Sequence, residues 1–220
     1  MSKYVLIKKT IKPFNKVIKV SGDKSLSIRW ALLSSQSLKK SRSSNLLLSE
    51  DVMSTLNCLK KLGVKIIQKG NVCSIIGRGL NGFIFKKNIT LNAGNSGTLG
   101  RLILSLLIRS PYKIKLTGDK SLSRRDFSRV IKPLEKIGVN FYPKNRFNLP
   151  IYIKGTNYLR PIEYVENKGS AQCKTCVMLA SLNVPGTTKI TAKKSRDHTE
   201  NIFKTLNIPI KIKKKLNYDF

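Results

Sequence analysis

Apolar residues recur along the chain in two rhythms, short alternating runs and helical stripes, and the two follow one another from end to end. Residues 3–8 (KYVLIK) alternate as a short strand does. After Pro13 and a turn at Gly22 a helix is predicted. Its Ile28, Trp30, Ala31, Leu32 and Leu33 are apolar on nearly every face, which marks it as buried rather than laid on a surface. Asn45–Ser49 (NLLLS) reads as a strand, and Asp51 as the cap of a helix running to Leu62. That helix closes with basic residues, a glycine stop and a β-branched restart, across Cys58–Ile66. The same ending recurs at Pro133–Phe141 around Gly138, and at Ile202–Ile210 with Asn207 in the left-handed stop position. Stops at 63, 138 and 207 are spaced by about 70 residues, the signature of an internal repeat.

The pattern predicts an α/β chain of three repeated units of βαβαββ type, at about 21–87, 88–155 and 156–220. Each holds a buried helix, a strand, an amphipathic helix and closing strands. The more apolar helices, Ile28–Leu33, Leu102–Ile108 and Val177–Leu182, can bury one another inside mixed sheets. Glycine hairpins such as Lys69-Gly70-Asn71 separate the strands.

Candidate chemistry gathers at the predicted helix starts. Gly22–Arg29 (GDKSLSIR) is matched by Gly118–Arg125 (GDKSLSRR), identical at seven of eight positions. Each places a turn and an aspartate cap before an apolar run. The first amides of such a helix, with Lys and Arg beside them, form an anion site. The copies do not share the 70-residue spacing: the first opens the first helix of unit one, the second the second helix of unit two. Convergence on one anion chemistry and chance in a lysine- and serine-rich chain both remain open. Asn92–Thr98 (NAGNSGT) is a second backbone-amide turn, with Arg101 one helical turn on. No Lys-Ser or Lys-Thr pair follows its last glycine, so it is not a P-loop. Gly169-Ser170-Ala171-Gln172 precedes the Val177 helix, and Ser195–Glu200 (SRDHTE) opens the last one with capping-box-like spacing. Cys173 and Cys176 have CxxC spacing, but without a second pair or a histidine at ligand spacing they read as buried structural thiols, and no metal is expected. His198, the sole histidine, is a general acid–base candidate; capping or hydrogen bonding is the preferred reading.

Charge sharpens the anion theme without deciding it. The net charge is +32, from 43 basic against 11 acidic residues. Such a value first points to a polyanion partner. The lysines are nevertheless spread over the whole chain among many isoleucines and asparagines, as biased genome composition produces. Nucleic acid is therefore expected to associate only nonspecifically. Four cysteines without a secretory signal fit reduced thiols in the cytoplasm. The longest apolar run, Leu102–Ile108, is bounded by Arg101 and Arg109 and falls far short of the ~20 residues a membrane span needs, so a soluble protein is expected.

Together GDKSLSIR (22–29), NAGNSGTLGR (92–101), LTGDKSLSRR (116–125), GSAQCKT (169–175) and SRDHTE (195–200) closely resemble the EPSP synthase family, the 3-phosphoshikimate 1-carboxyvinyltransferases. The matches fall in one order over nearly the whole chain. Related UDP-N-acetylglucosamine enolpyruvyl transferases fit less well, because they carry a functional cysteine in the second unit and this chain has none between Cys73 and Cys173. The resemblance implies transfer of the enolpyruvyl group of phosphoenolpyruvate to the 5-hydroxyl of shikimate 3-phosphate, in the shikimate pathway of aromatic amino-acid biosynthesis, without a cofactor. By resemblance Lys24, Ser25, Arg29, Ser170, Gln172 and Ser195 hold shikimate 3-phosphate, while Lys24, Gly97, Arg125 and Gln172 hold phosphoenolpyruvate. Thr98 and Arg101 shape the glycine turn. The family usually has proline where this chain has Asp126, an acid that either weakens phosphoenolpyruvate binding or caps the following helix. The resemblance also implies a second domain beyond Phe220 that carries the acid–base carboxylates. Residues 1–20 would then belong with that domain, 21–220 would form the N-terminal domain with an incomplete third unit, and this portion alone would be inactive. Two further classes stay open beside this one: a basic nucleic-acid-binding module, and a non-catalytic small-anion binder.

Overall fold

In the computed structural model residues 6, 8–10, 12–13 and 15–213 are described. The strand expected over 3–8 lies mostly outside that set, and residues 6 and 8 are not in a strand. Helix α1 (Lys24–Ser35) begins where Asp23 accepts the Leu26 amide at 2.7 Å, and it is buried on nearly every face, as its apolar residues require. Strand β1 (Lys40–Ser43) follows. The expected strand at Asn45–Ser49 is absent. That segment is an extended lead-in, pinned when Leu46 N donates to Asn71 O (2.9 Å) and Leu47 N to Ser27 Oγ (3.1 Å). Three successive leucines cannot all face one core, and only Leu46 is fully buried. Helix α2 (Glu50–Lys61) is capped by Ser49 instead of Asp51; Asp51 sits in its first turn and pairs with Lys24 at 3.1 Å. Gly63 stops the chain at φ +82, where the Ile84 carbonyl would lie 2.4 Å from any Cβ. Strands β2 (Lys65–Lys69) and β3 (Val72–Ile76) form the expected hairpin about Gly70, in an antiparallel sheet ordered β1-β3-β2.

Strand β4 (Thr90–Asn92), helix α3 (Gly97–Leu106) and strand β5 (Ile114–Thr117) make a parallel crossover unit. The second GDKSLS copy then departs from expectation. It forms only a one-turn helix, α4 (Lys120–Ser123), although Asp119 caps it as Asp23 caps α1. Fully buried Leu122 and Phe127 anchor both sides of the break, so the chain turns at Arg124–Asp126 before the amphipathic helix α5 (Ser128–Ile137). Strands β6 (Asn140–Tyr142) and β7 (Ile151–Lys154) complete a mixed sheet ordered β4-β5-β7-β6. Strand β8 (Glu163–Glu166), helix α6 (Ala171–Ser181) and strand β9 (Lys189–Ala192) form a second parallel crossover. Helix α7 (His198–Thr205) follows, and Asn207 takes the left-handed stop at φ 52.

Helix α3 packs on α6 and on α1, and α5 packs on α6, so the buried helices lie together with the sheets around them. One apolar core runs through all of them, from Ile28 to Phe203. The parallel crossovers bring the N-terminal turns of α3 and α6 to the carboxyl ends of β4 and β8, where α/β folds place their ligands.

Candidate active site

Two groups of side chains meet at these helix starts. The first surrounds Arg29, which is only 3% exposed. Its Nε donates to Thr199 Oγ1 (3.0 Å), Nη2 to Thr175 Oγ1 (3.3 Å) and Nη1 to Ser25 O (3.2 Å). The two threonine hydroxyls are themselves 2.7 Å apart. Burial lowers the guanidinium pKa, with Asp23 and Glu200 opposing the shift. Arg29 thus joins α1, α6 and α7 around one buried cation. Lys24 and Ser25 lie at the mouth of this group, Lys24 exposed and Ser25 half-buried. Ser170 caps α6 by accepting the Cys173 amide at 3.3 Å. Ser195 does not cap α7. The cap position is Asp197, which makes no side-chain cap bond, and Glu200 pairs with Lys174 instead of closing a capping box. Ser195 Oγ and His198 Nδ1 are shielded from solvent and have no hydrogen-bond partner among the described residues.

The second group surrounds Gly97 at the start of α3, whose cap is Ser96. Arg101 Nη1 donates to Gln172 Oε1 at 2.8 Å, and Gln172 Nε2 donates to Thr98 Oγ1 at 3.0 Å. The Arg101 guanidinium also lies over the Phe127 ring, 5.2 Å from its centroid, and burial lowers its pKa. Arg125 is exposed; its Nη2 donates to Asn95 Oδ1 at 3.4 Å, and Asn95 Nδ2 donates to Asp119 Oδ2 at 2.6 Å. That bond from Asn95, with the Leu122 amide, holds the Asp119 carboxyl below the usual range. A Cβ on Gly97 would stand 3.0 Å from both Arg101 Nη1 and Arg125 Nη1, so glycine lets two cations approach the backbone amides. Asp126 turns away from this role: its carboxylate accepts the Ser128 amide and hydroxyl, each at 2.7 Å. Partial burial opposes its ionisation, but the Ser128 bonds and Arg101 hold its pKa below the ordinary value. These bonds tie Asp126 to the first residue of α5, whose cap position, Phe127, carries no side-chain cap bond.

The first turn of α6 joins the groups, through Gln172 to Arg101 and through Thr175 to Arg29. The structure therefore brings Arg29, Ser25, Ser170, Gln172, Gly97 and Arg125 into one bonded framework. Lys24 is tied instead to Asp51, and Ser195 stands at the edge without a partner among the described residues. Several organising residues escape a reading of the sequence. Thr175 and Thr199 look like ordinary helix residues, and Asn95 and Asn148 like loop filler, yet Asn148 Nδ2 holds the Arg124 and Arg125 carbonyls (3.2 and 3.3 Å). The SRDHTE stretch contained Thr199, but its fit to a buried arginine 170 residues away carries no local signal. Cys173 and Cys176 are buried free thiols, and burial pushes the Cys176 pKa up. Among the described residues no cluster of three or more His, Cys, Asp or Glu suits a metal ion, and no helix is long and apolar enough to cross a membrane.

The model of the EPSP synthase (3-phosphoshikimate 1-carboxyvinyltransferase) family matches residues 8–218. The chain belongs to the EPSP synthase family. Relatives named 3-phosphoshikimate 1-carboxyvinyltransferase, from Streptococcus pyogenes serotype M4 (strain MGAS10750) and serotype M49 (strain NZ131), are 39% identical over 192 residues. That alignment covers 86% of this chain and 45% of theirs. Solved structures of EPSP synthase from Acinetobacter baumannii superpose with a TM-score of 0.83 at 32% identity. They match 89% of this chain and 44% or 45% of those chains. The chain thus spans about half the length of the family members it matches, and its mixed α/β fold is theirs.

Proposed function

We propose that this chain forms one wall of an enolpyruvyl transferase site that takes shikimate 3-phosphate and phosphoenolpyruvate. The observation that carries the reading is the first turn of α6, whose Gln172 and Thr175 tie two separate cationic groups, one around Arg29 and one around Gly97, into a single framework. Two anions side by side need such an arrangement. Lys24, Ser25, Arg29, Ser170 and Ser195 are assigned to shikimate 3-phosphate, Gly97 and Arg125 to phosphoenolpyruvate, and Lys24 and Gln172 to both. A phosphate oxygen accepting from Ser195 Oγ would satisfy a shielded hydroxyl that otherwise costs about 1–3 kcal/mol.

In the proposed reaction a proton is added at the methylene carbon of phosphoenolpyruvate while the 5-hydroxyl oxygen attacks its C2. The hydroxyl proton leaves to a base, giving a tetrahedral adduct. Expulsion of phosphate with loss of a methyl proton restores the enol ether. This chain's residues supply positioning and charge neutralisation, worth most where water is excluded. The proton-transfer carboxylates belong, on this reading, to a second domain closing over the wall, and residues 1–20 pack with that domain. Residues 21–220 then form a three-unit domain. The left-handed stops at Gly63, Gly138 and Asn207 support that division. Four buried free thiols fit a cytoplasmic setting. The excess positive charge supports only nonspecific association with nucleic acid.

Titration calorimetry of the 220-residue chain with shikimate 3-phosphate tests the assignment: binding that weakens at least about tenfold in Ser170→Ala or Arg29→Met is expected. No binding at millimolar ligand overturns it. Phosphate release from both substrates by this chain alone would overturn the claim that catalysis needs a second domain.

A further inference from the structure

Glu166 is the most deeply buried carboxylate among the described residues, 3% exposed, and nothing in the proposed reaction uses it. It ends β8 immediately before the turn that carries Ser170. Its Oε2 accepts the Ser170 amide at 2.6 Å, and its Oε1 accepts the Lys168 amide at 3.3 Å together with the Arg129 guanidinium of α5. Gly169, between those two amides, holds φ +70, a conformation the carboxylate locks from both sides.

We propose that Glu166 and Arg129 form a charge-balanced clamp that positions the Lys168–Ser170 turn for a phosphate group. The inference rests on the reading of Ser170 as a ligand of shikimate 3-phosphate. By taking the Ser170 amide, Glu166 fixes the residue whose Oγ already accepts from Cys173, and leaves the hydroxyl proton to donate to an incoming oxygen. A carboxylate is a poor neighbour for a phosphate. Arg129 resolves the conflict: it cancels the charge of Glu166, so the acid orders the turn without repelling the ligand. The clamp also ties α5, which follows the Arg125 turn, to the start of α6. Glu166 and Arg129 are positioning residues, since neither is assigned a contact with substrate.

The charge balance gives the test a sign that simple loss of packing would not. Shikimate 3-phosphate affinity is measured by calorimetry for the 220-residue chain and for Glu166→Gln, Arg129→Met, the double variant, and Glu163→Gln, which alters an exposed pair on the same strand. Arg129→Met, which strands a carboxylate beside the anion, is expected to lose about tenfold or more and Glu166→Gln less. The double variant should recover to the Glu166→Gln level, and Glu163→Gln should bind as the parent does. Exchange of the Ser170 amide proton, read by NMR without ligand, should quicken in the isosteric Glu166→Gln even if the Arg129 variants fold poorly. If the parent binds but both single variants bind equally well, or the double variant is the weakest, the clamp is wrong and the site assignment stands. If the parent does not bind, the assignment itself fails and takes the phosphate role of the clamp with it.

Discussion

Arg29 shows how far a single residue can be read in advance. Its place after a capped GDKS turn identified a cation at a helix start, but not that its donors would engage hydroxyls from two distant helices. Arg29→Met removes charged hydrogen bonds to Thr175, Thr199 and Ser25 O. It should therefore lower stability by about 1.5–3 kcal/mol, seen as a lower midpoint in urea unfolding, besides weakening anion binding. Gly97→Ala should separate the two effects differently. Its Cβ would crowd the ends of two flexible side chains and otherwise meet only Leu122 Cδ1 at an ordinary 3.9 Å, so the unfolding midpoint should barely move. Phosphoenolpyruvate affinity should fall, because Arg101 and Arg125 must both shift. An equal loss of stability and binding would show that Gly97 matters for the helix rather than for the cations. Asp126 was legible as an anomaly beside Arg125, but its bonds to Ser128 at the start of α5 were not.

At the level of elements, termini were more legible than strands. Gly63, Gly138 and Asn207 all take positive φ where the sequence placed stops, because few residues tolerate that conformation and the choice is local. The strand expected at Asn45–Ser49 failed for the opposite reason: whether a leucine run joins a ladder depends on partners from elsewhere, here Asn71 and Ser27. The two near-identical octapeptides make the same point. Both aspartates cap, but the helix behind Asp119 ends after one turn because Leu122 and Phe127 are each seated in the core. Asp23→Ala should therefore cost about 1 kcal/mol of stability through α1. Asp119→Ala should act chiefly on ligand binding, by releasing Asn95 and with it Arg125; the comparison needs thermal melts and calorimetry on both variants.

For the whole molecule, the charge excess and the buried Glu166 set the response to solution conditions. With a net charge of +32, self-repulsion should make the melting temperature rise as salt is added from low ionic strength, while any nucleic-acid association weakens over the same range. Burial opposes ionisation of Glu166, but the amides of Ser170 and Lys168 and the Arg129 guanidinium hold its pKa below the ordinary 4.5. A depressed carboxylate contributes stability that is complete above its unfolded pKa and is lost as pH falls through the lower folded value. Acid unfolding curves should therefore steepen below about pH 4.5, and Glu166→Gln should flatten that slope; an unchanged slope would mean the acid is not held ionised. Mixed α/β architecture was visible in periodicity, whereas the meeting of the two cationic groups was not, since it depends on α3 packing against both α1 and α6. That shared turn limits how the site can evolve. A substitution that changes how Gln172 holds Arg101 disturbs the same backbone that presents Thr175 to Arg29. Descendants of this chain should therefore change the two together, through compensating pairs across helices, or not at all.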